Sequence, residues 1–513
     1  MSTPRSNLRV LILEPPNQLA PDDRAFTNGS LGAAYIVAAL RHAGAETDYL
    51  DATVGFPGTD LRESFYRRTE MENGNIRVGM SRERLADIIS KYDIVATTSS
   101  FTLQTRMHFE IAELVRQVEK ENGQRILTIS GGVNARGLRE HFLTEGFDIV
   151  ALADGEKTVV QIVESVASGA PDFKQVDRIA FLNRGRVVLT GAKPAPATKF
   201  IDDVPPPAIE ALPLEVYRRI GISPSGYPLP GTMFGSLQTS RGCQDACTFC
   251  HISVEKEQRE VFGNIGFLRM FSNERVSADV TNAYNHGIRR LYIHDDNFFF
   301  NKKRIFRLSS LAKREGLKFS NVTGANLRFL FVKTPHGYEP DTEFISALAE
   351  LGLDELSLPF ESSSQEMMKK YMTNKYDPNE MNPVAVLKAV KAAGIRPTSN
   401  FLIGFRDESW ESVLRTKEYA KFLFSEGLDS AGFSVPVPYP GCMDFAFEMQ
   451  DPLRKADFDA NLLNYTDHMH FRGRPLFKTL VPAETLHAAV KEFWLELNPK
   501  AYTSASRSMS VLH

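Results

Sequence analysis

The sequence predicts an α/β protein in three parts: a doubly wound, Rossmann-like domain at 1–170, a partial (β/α)6 barrel of the TIM type at 231–445, and a small, mostly helical region at 446–513. A linker at 171–230 joins the first two. Three observations predict it. Short apolar runs alternate with amphipathic runs of helical length along most of the chain, the pattern of parallel strands covered by helices. A proline-rich stretch with little periodicity, "KPAPATKFIDDVPPPAIEALPLEVY", interrupts that alternation once. With 42% hydrophobic residues, the 513 positions supply enough apolar surface for several cores.

The elements follow in order. "LRVLIL" at 8–13 is a continuous apolar run that stops at Glu14-Pro15-Pro16, as a buried parallel strand entering a loop would. "LGAAYIVAALRHAG" is an amphipathic helix ended by Gly44. "ETDYLDA", "DIVATTSS", "RILTISGG" and "DIVALADG" read as further strands, with a helix at about 104–120. In such a sheet the ligand crevice lies at the carboxyl ends of the strands. Those ends carry Glu14, Ser99, Ser100, Gly131, Gly132, Gly155 and Glu156, without a GxGxxG fingerprint. From Phe234 the alternation resumes as six strand units: "MFGSLQTS", "RRLYIHDDN", "FSNVTGANLR", "DELSLPFES", "RPTSNFLIGF" and "SAGFSVPVPYPG". Chemistry is expected at their carboxyl ends too.

Composition excludes several classes. Sixty Lys and Arg against 63 Asp and Glu leave a net charge of −3, so no basic surplus points to nucleic acid or an anionic membrane. The N-terminal apolar run is too short for a signal peptide and no window is long enough to span a bilayer, which makes a cytoplasmic protein the expectation. Four cysteines in such a chain do not make a disulfide framework, and a reducing compartment leaves them free to bind metal.

Three of those four stand within eight positions, in "SRGCQDACTFCHIS", directly after the first barrel strand. Zinc normally takes four ligands, so a zinc site would have to recruit His251, next to Cys250 in sequence, or the distant Cys442. Three thiolates suit an iron-sulfur cubane instead, leaving one iron open to a ligand from outside the protein.

The pattern "CQDACTFC" at the end of the first strand of a six-unit barrel resembles the radical S-adenosylmethionine superfamily. The resemblance implies that Cys243, Cys247 and Cys250 hold a [4Fe–4S] cluster whose open iron chelates S-adenosylmethionine, and that one electron splits the cofactor into methionine and a 5′-deoxyadenosyl radical that takes hydrogen from substrate. An external electron donor such as flavodoxin or ferredoxin is implied. "YIHDDNFFFNKKRI" resembles the family's second-strand segment, implying that Asp295, Asp296 and Asn297 hold the methionine amino group, which wants carboxylate or carbonyl acceptors. "LSLPFESSS" resembles the fourth, implying Glu361 and Ser362 near ribose or methionine, and "NFLIGFRDES" the fifth, with Gly404 against adenine. Arg328, at the end of "GANLR", is expected to pair with the methionine carboxylate or to form a structural ion pair.

A leading doubly wound domain with "SSFT", "SGGVNA" and "ADGEKT" after its strands resembles the cobalamin-binding class of that superfamily, implying a corrin over Ser99, Ser100, Gly131, Gly132, Gly155 and Glu156. The Asp-x-His-x-x-Gly motif of cobalamin carriers is missing, so the cofactor would bind base-off without a histidine ligand. The implied reaction is methylation of an unactivated carbon, or phosphorus, of a small-molecule or peptide substrate. The alternatives are a cobalamin-associated cyclisation, ring contraction or oxidation without methyl transfer, and a non-catalytic iron-sulfur or electron-transfer module. A methylthio-transferring tRNA enzyme would need three further cysteines in the leading domain, and residues 1–242 contain none. Cys442, after "PYPG", is a candidate contact for a radical intermediate near the barrel mouth. Phe298, Phe299 and Phe300 are candidate pocket walls, and His468 and His470 candidate substrate contacts.

Overall fold

The computed structural model describes residues 8–21, 23–27, 29–191, 200–223, 228–321, 323–372, 376–464 and 478–498. His468 and His470 lie outside them. The described residues divide into two compact units: those within 8–242, 250–289 and 439–464 form one, and those within 243–249, 290–438 and 478–498 the other.

The first unit is built on a seven-stranded sheet of β1 (Arg9–Glu14), β2 (Glu46–Asp51), β3 (Ile94–Thr98), β4 (Leu127–Gly131), β5 (Ile149–Ala151), β6 (Ile179–Asn183) and β7 (Arg186–Leu189), in the order β7-β6-β5-β4-β3-β1-β2. The first five are parallel; β6 and β7 add an antiparallel edge. Part of the stretch expected as a linker at 171–230 thus belongs to the sheet, which runs on through Leu189. Alternate residues of β1 explain its unbroken apolar run. Val10 and Ile12 pack with Ala33, Val37 and Leu40 of α1 (Leu31–His42). Leu11 and Leu13 face Leu85 and Ile88 of α2 (Arg82–Ile89) and Ile111 and Leu114 of α3 (Thr105–Asn122). A strand buried on both faces needs no polar alternation. Ser30 and Ser81 cap α1 and α2 by accepting the Ala33 and Arg84 N–H groups.

Counted along the chain, the parallel strands stand second, first, third, fourth, fifth. The strand order thus reverses between β1 and β3, the position at which doubly wound sheets of this order hold their ligands. Glu14 ends the first of these strands, and Ser99 directly follows Thr98 at the end of the second.

Within the second unit the parallel strands form two short sheets: β8 (Arg290–Ile293) beside β9 (Lys318–Asn321), and β10 (Glu355–Ser357), β11 (Arg396–Leu402) and β12 (Ser430–Ser434) side by side. Helices α4 (Lys302–Glu315), α5 (Thr342–Glu350), α6 (Pro383–Ala392) and α7 (Trp410–Ser425) connect them, giving strand-helix units of a partial barrel that does not close among the described residues. The C-terminal helix α8 (Ala483–Leu497) covers this unit: Phe493 packs edge-on against Phe433 of β12, Lys417 of α7 pairs with Glu492 and Glu496, and Asn498 bonds the backbone of Ala431.

Candidate functional site

The cysteine loop runs from Arg241 to the short helix His251–Glu257. In the second unit Cys243 is half-buried and Cys247 buried; Cys250, in the first unit, is half-buried and opens that helix. The Cys243 sulfur accepts the Asp245 backbone N–H at 3.4 Å and faces the Asn297 amide nitrogen at 4.0 Å. N–H donors directed at sulfur favour a thiolate, so the donor set fits a metal cluster. The loop is tied down on both sides of Cys247. Thr248 donates its backbone N–H to the Tyr371 carbonyl at 3.1 Å, and the buried Asp245 carboxylate accepts from Asn326 Nδ2 at 3.0 Å and from an Arg328 Nη at 2.8 Å.

His251 is engaged elsewhere: its ring pairs with Glu255, which also meets Arg136. Burial works against the Glu255 charge, yet Arg136 and His251 hold its carboxyl down to about 2. Among the described residues no three His, Cys, Asp or Glu side chains converge on a single metal ion. Thiolates of a cluster bind separate irons and need no such convergence.

The remaining residues expected around S-adenosylmethionine are distributed as follows. Asp295 is fully buried just beyond β8, Asp296 exposed, and Asn297 buried beside Cys243. Phe298 and Phe299 are core residues in edge-on contact and Phe300 is half-buried. Glu361 follows β10, buried and at φ +62°, a conformation an ordinary side chain adopts only when its surroundings impose it, and one that concentrates at functional sites. Ser362 shares a hydrogen bond with Thr416 and accepts the Ser364 N–H. Arg328 forms the structural ion pair, with Asp245. Gly404 has φ +79°, and a Cβ there would strike Leu486 of α8. The turn it makes is held by Glu408, whose buried carboxylate accepts the Gly404 N–H at 2.7 Å, the Phe405 N–H and the Ser412 hydroxyl. Sequence reading missed Glu408, although its place four residues after the strand-end glycine is the available signal.

In the first unit the residues expected at the strand ends are placed as follows. Ser99 is buried, Ser100 exposed, and Phe101, which follows, is a large aromatic left 58% exposed. Gly132, at φ +92°, lies so close to the Ser99 carbonyl that a Cβ would overlap it. Asn134 locks this corner through the hydroxyls of Ser99, Thr102 and Thr105. The backbones of β3 and β4 thus end in a corner of small residues packed closely against one another. Gly155 opens the helix Gly155–Ala167, but the Glu156 carboxylate is committed to Arg241 at 2.6 Å, and Asp154 to Arg269 and Arg241. Both acidic groups serve ion pairs inside the unit. Glu14 Oε1 is buried without a hydrogen-bond partner, and burial, beside Asp51, pushes its carboxyl up to about 7.

Cys442 is sealed in the first unit as the N-cap of the helix Met443–Glu448, where its sulfur accepts the Phe445 N–H at 3.3 Å. Burial pushes the thiol up to about 12, so it stays protonated at neutral pH. The candidate contact for a radical intermediate is thus a buried helix cap, 1% exposed. Among the described residues no helix is long and apolar enough to cross a membrane.

Residues 237–420 match the family model of the radical SAM superfamily. An uncharacterized methyltransferase of Pyrococcus horikoshii is 27% identical over 402 residues, covering 76% of this chain and 78% of the relative. Cytidylyl-2-hydroxyethylphosphonate methyltransferase of Streptomyces wedmorensis is 26% identical over 465 residues, covering 84% and 80%. Among solved structures, the radical S-adenosylmethionine methyltransferase TsrM of Kitasatospora setae, with cobalamin and a [4Fe–4S] cluster bound, shares the fold at a TM-score of 0.63 and 16% identity, covering 96% of this chain and 90% of its own.

Proposed function

We propose that this chain, which carries a radical S-adenosylmethionine domain over residues 237–420 and the fold of a cobalamin- and cluster-binding methyltransferase, is itself a cobalamin-dependent radical methyltransferase. Its substrate is a small molecule or peptide methylated at an unactivated carbon or at phosphorus. The observation that carries the reading is the loop of Cys243, Cys247 and Cys250, cysteine-rich in an otherwise cysteine-poor chain, with N–H donors aimed at the Cys243 sulfur.

Once bound, the cluster supplies the electron that splits S-adenosylmethionine and cobalamin carries the methyl group, with flavodoxin or ferredoxin as the external reductant. The chain's own residues bind and orient. The three thiolates hold the cluster. The strand-end residues of the second unit, Asp295, Asn297, Glu361 and Ser362, are the candidate acceptors for the methionine and ribose of S-adenosylmethionine, and Phe298 and Phe299, directly after Asn297, are buried core residues. The corner of Ser99, Ser100, Gly131 and Gly132 is the candidate floor for the corrin.

Anaerobic incubation of reconstituted protein with labelled S-adenosylmethionine and a low-potential reductant tests this. About four irons per chain are expected, with 5′-deoxyadenosine and S-adenosylhomocysteine both formed. Deoxyadenosine without S-adenosylhomocysteine would instead support a radical enzyme that cyclises or oxidises its substrate. One zinc and no iron would remove the radical reading altogether.

A further inference from the structure

The sequence brings Asp245 to attention only as a spacer between two cysteines, but the structure gives it a definite task. It is 7% exposed, and each carboxylate oxygen has its own partner, Oδ1 the Arg328 guanidinium at 2.8 Å and Oδ2 the Asn326 amide at 3.0 Å. Asn326 in turn accepts the Arg328 backbone N–H and caps the turn Leu327–Leu330, so both partners are fixed by one short piece of chain. The same residue's backbone N–H is the donor to the Cys243 sulfur.

We propose that Asp245 is a positioning residue: the latch to Asn326 and Arg328 fixes the backbone N–H that bonds the Cys243 sulfur, and so sets the reduction potential of the cluster held there. This rests on the cluster reading of the preceding subsection. The physical basis is electrostatic. Reduction adds negative charge to the cluster, and a donor directed at a ligating sulfur stabilises the more negative state, so a well-held N–H raises the potential and a loosened one lowers it. A carboxylate with two oriented donors holds its backbone more tightly than either bond alone, because a guanidinium and an amide must both be lost before it can swing. The ion pair also commits Arg328 to the cysteine loop, which is why the latch involves a residue that sequence alone offered to the methionine carboxylate.

The test measures the cluster, not turnover. In full-length reconstituted protein, the double substitution Asp245→Ala with Arg328→Met removes one charge of each sign, so the net charge near the cluster is unchanged and only the latch is lost. Anaerobic spectroelectrochemistry should find wild-type iron content and a reduction potential shifted to lower values. Asn326→Ala, which alters no charge, should shift it in the same direction by a smaller amount, and it carries the test alone where the double variant fails to hold iron. A full cluster whose potential equals the wild type's in both variants overturns the latch. A wild-type protein that takes up no iron overturns the cluster reading itself, a distinct failure.

Discussion

The three cysteines proposed to hold the cluster were legible because their spacing is local: one short loop carries all three, whatever the rest of the chain does. Removing one checks it directly. Cys247→Ala should abolish iron-sulfur absorbance and deoxyadenosine formation, whereas Cys442→Ala should leave both in place, since that thiol is a protonated helix cap. Asp245 was not legible, because its partners lie 81 and 83 positions away. The same holds for Glu14, whose carboxyl rises to about 7 only through burial next to Asp51, its neighbour in the β1–β2 register. A folded-state value raised from 4.5 to about 7 contributes stability that is complete below pH 4.5 and is lost as pH rises through 7. At about 1.4 kcal/mol for each tenfold gain in proton affinity, the loss is up to about 3 kcal/mol. Glu14→Gln should flatten that part of the stability curve, and denaturant titrations of the two proteins between pH 5 and pH 8 should converge at the acid end and separate at the alkaline end, with the wild type the less stable.

Most elements could be read from periodicity alone. The unbroken apolar run of β1 and the capped helix after it need only local chemistry. The antiparallel edge strands β6 and β7 were hidden, since "IAFLN" and "RVVL" sit against a proline-rich stretch and gain their place only by pairing, β6 with β5 and β7 with β6. The C-terminal helix α8 was visible as a helix, but its docking was not. Leu486, 1% exposed, fills the space above Gly404 that a larger residue at 404 would occupy, so the glycine and the leucine are one packing decision written 82 positions apart. Leu486→Ala should therefore cost about 2–5 kcal/mol, the range for emptying a buried leucine site, read as a lowered denaturation midpoint of the whole second unit. An unchanged midpoint would mean that α8 contributes little to holding the strand ends.

At the scale of the molecule, the doubly wound order of the first unit carries the cobalamin half of the proposal, and it is the step most in need of a separable test. The reversal between β1 and β3 places the Ser99-Ser100 corner at the ligand position of such sheets. Filling that corner at Gly132 would confuse two effects. Its φ of +92° and the Ser99 carbonyl against it mean that any side chain strains the backbone before it blocks a ligand. Ser100 is the cleaner position, exposed at the strand end and free to carry a large side chain without repacking a core. Ser100→Trp should fold with a wild-type melting temperature, take up its iron and still split S-adenosylmethionine slowly, yet bind cobalamin weakly in equilibrium dialysis and form little S-adenosylhomocysteine. The spectrum of cobalamin on the wild-type protein should be base-off, because the chain offers no Asp-x-His-x-x-Gly histidine to the metal. Unchanged cobalamin affinity in Ser100→Trp would move the corrin away from the switch point. A wild type that binds none at all would reduce the first unit to a scaffold and the enzyme to a radical enzyme of another kind.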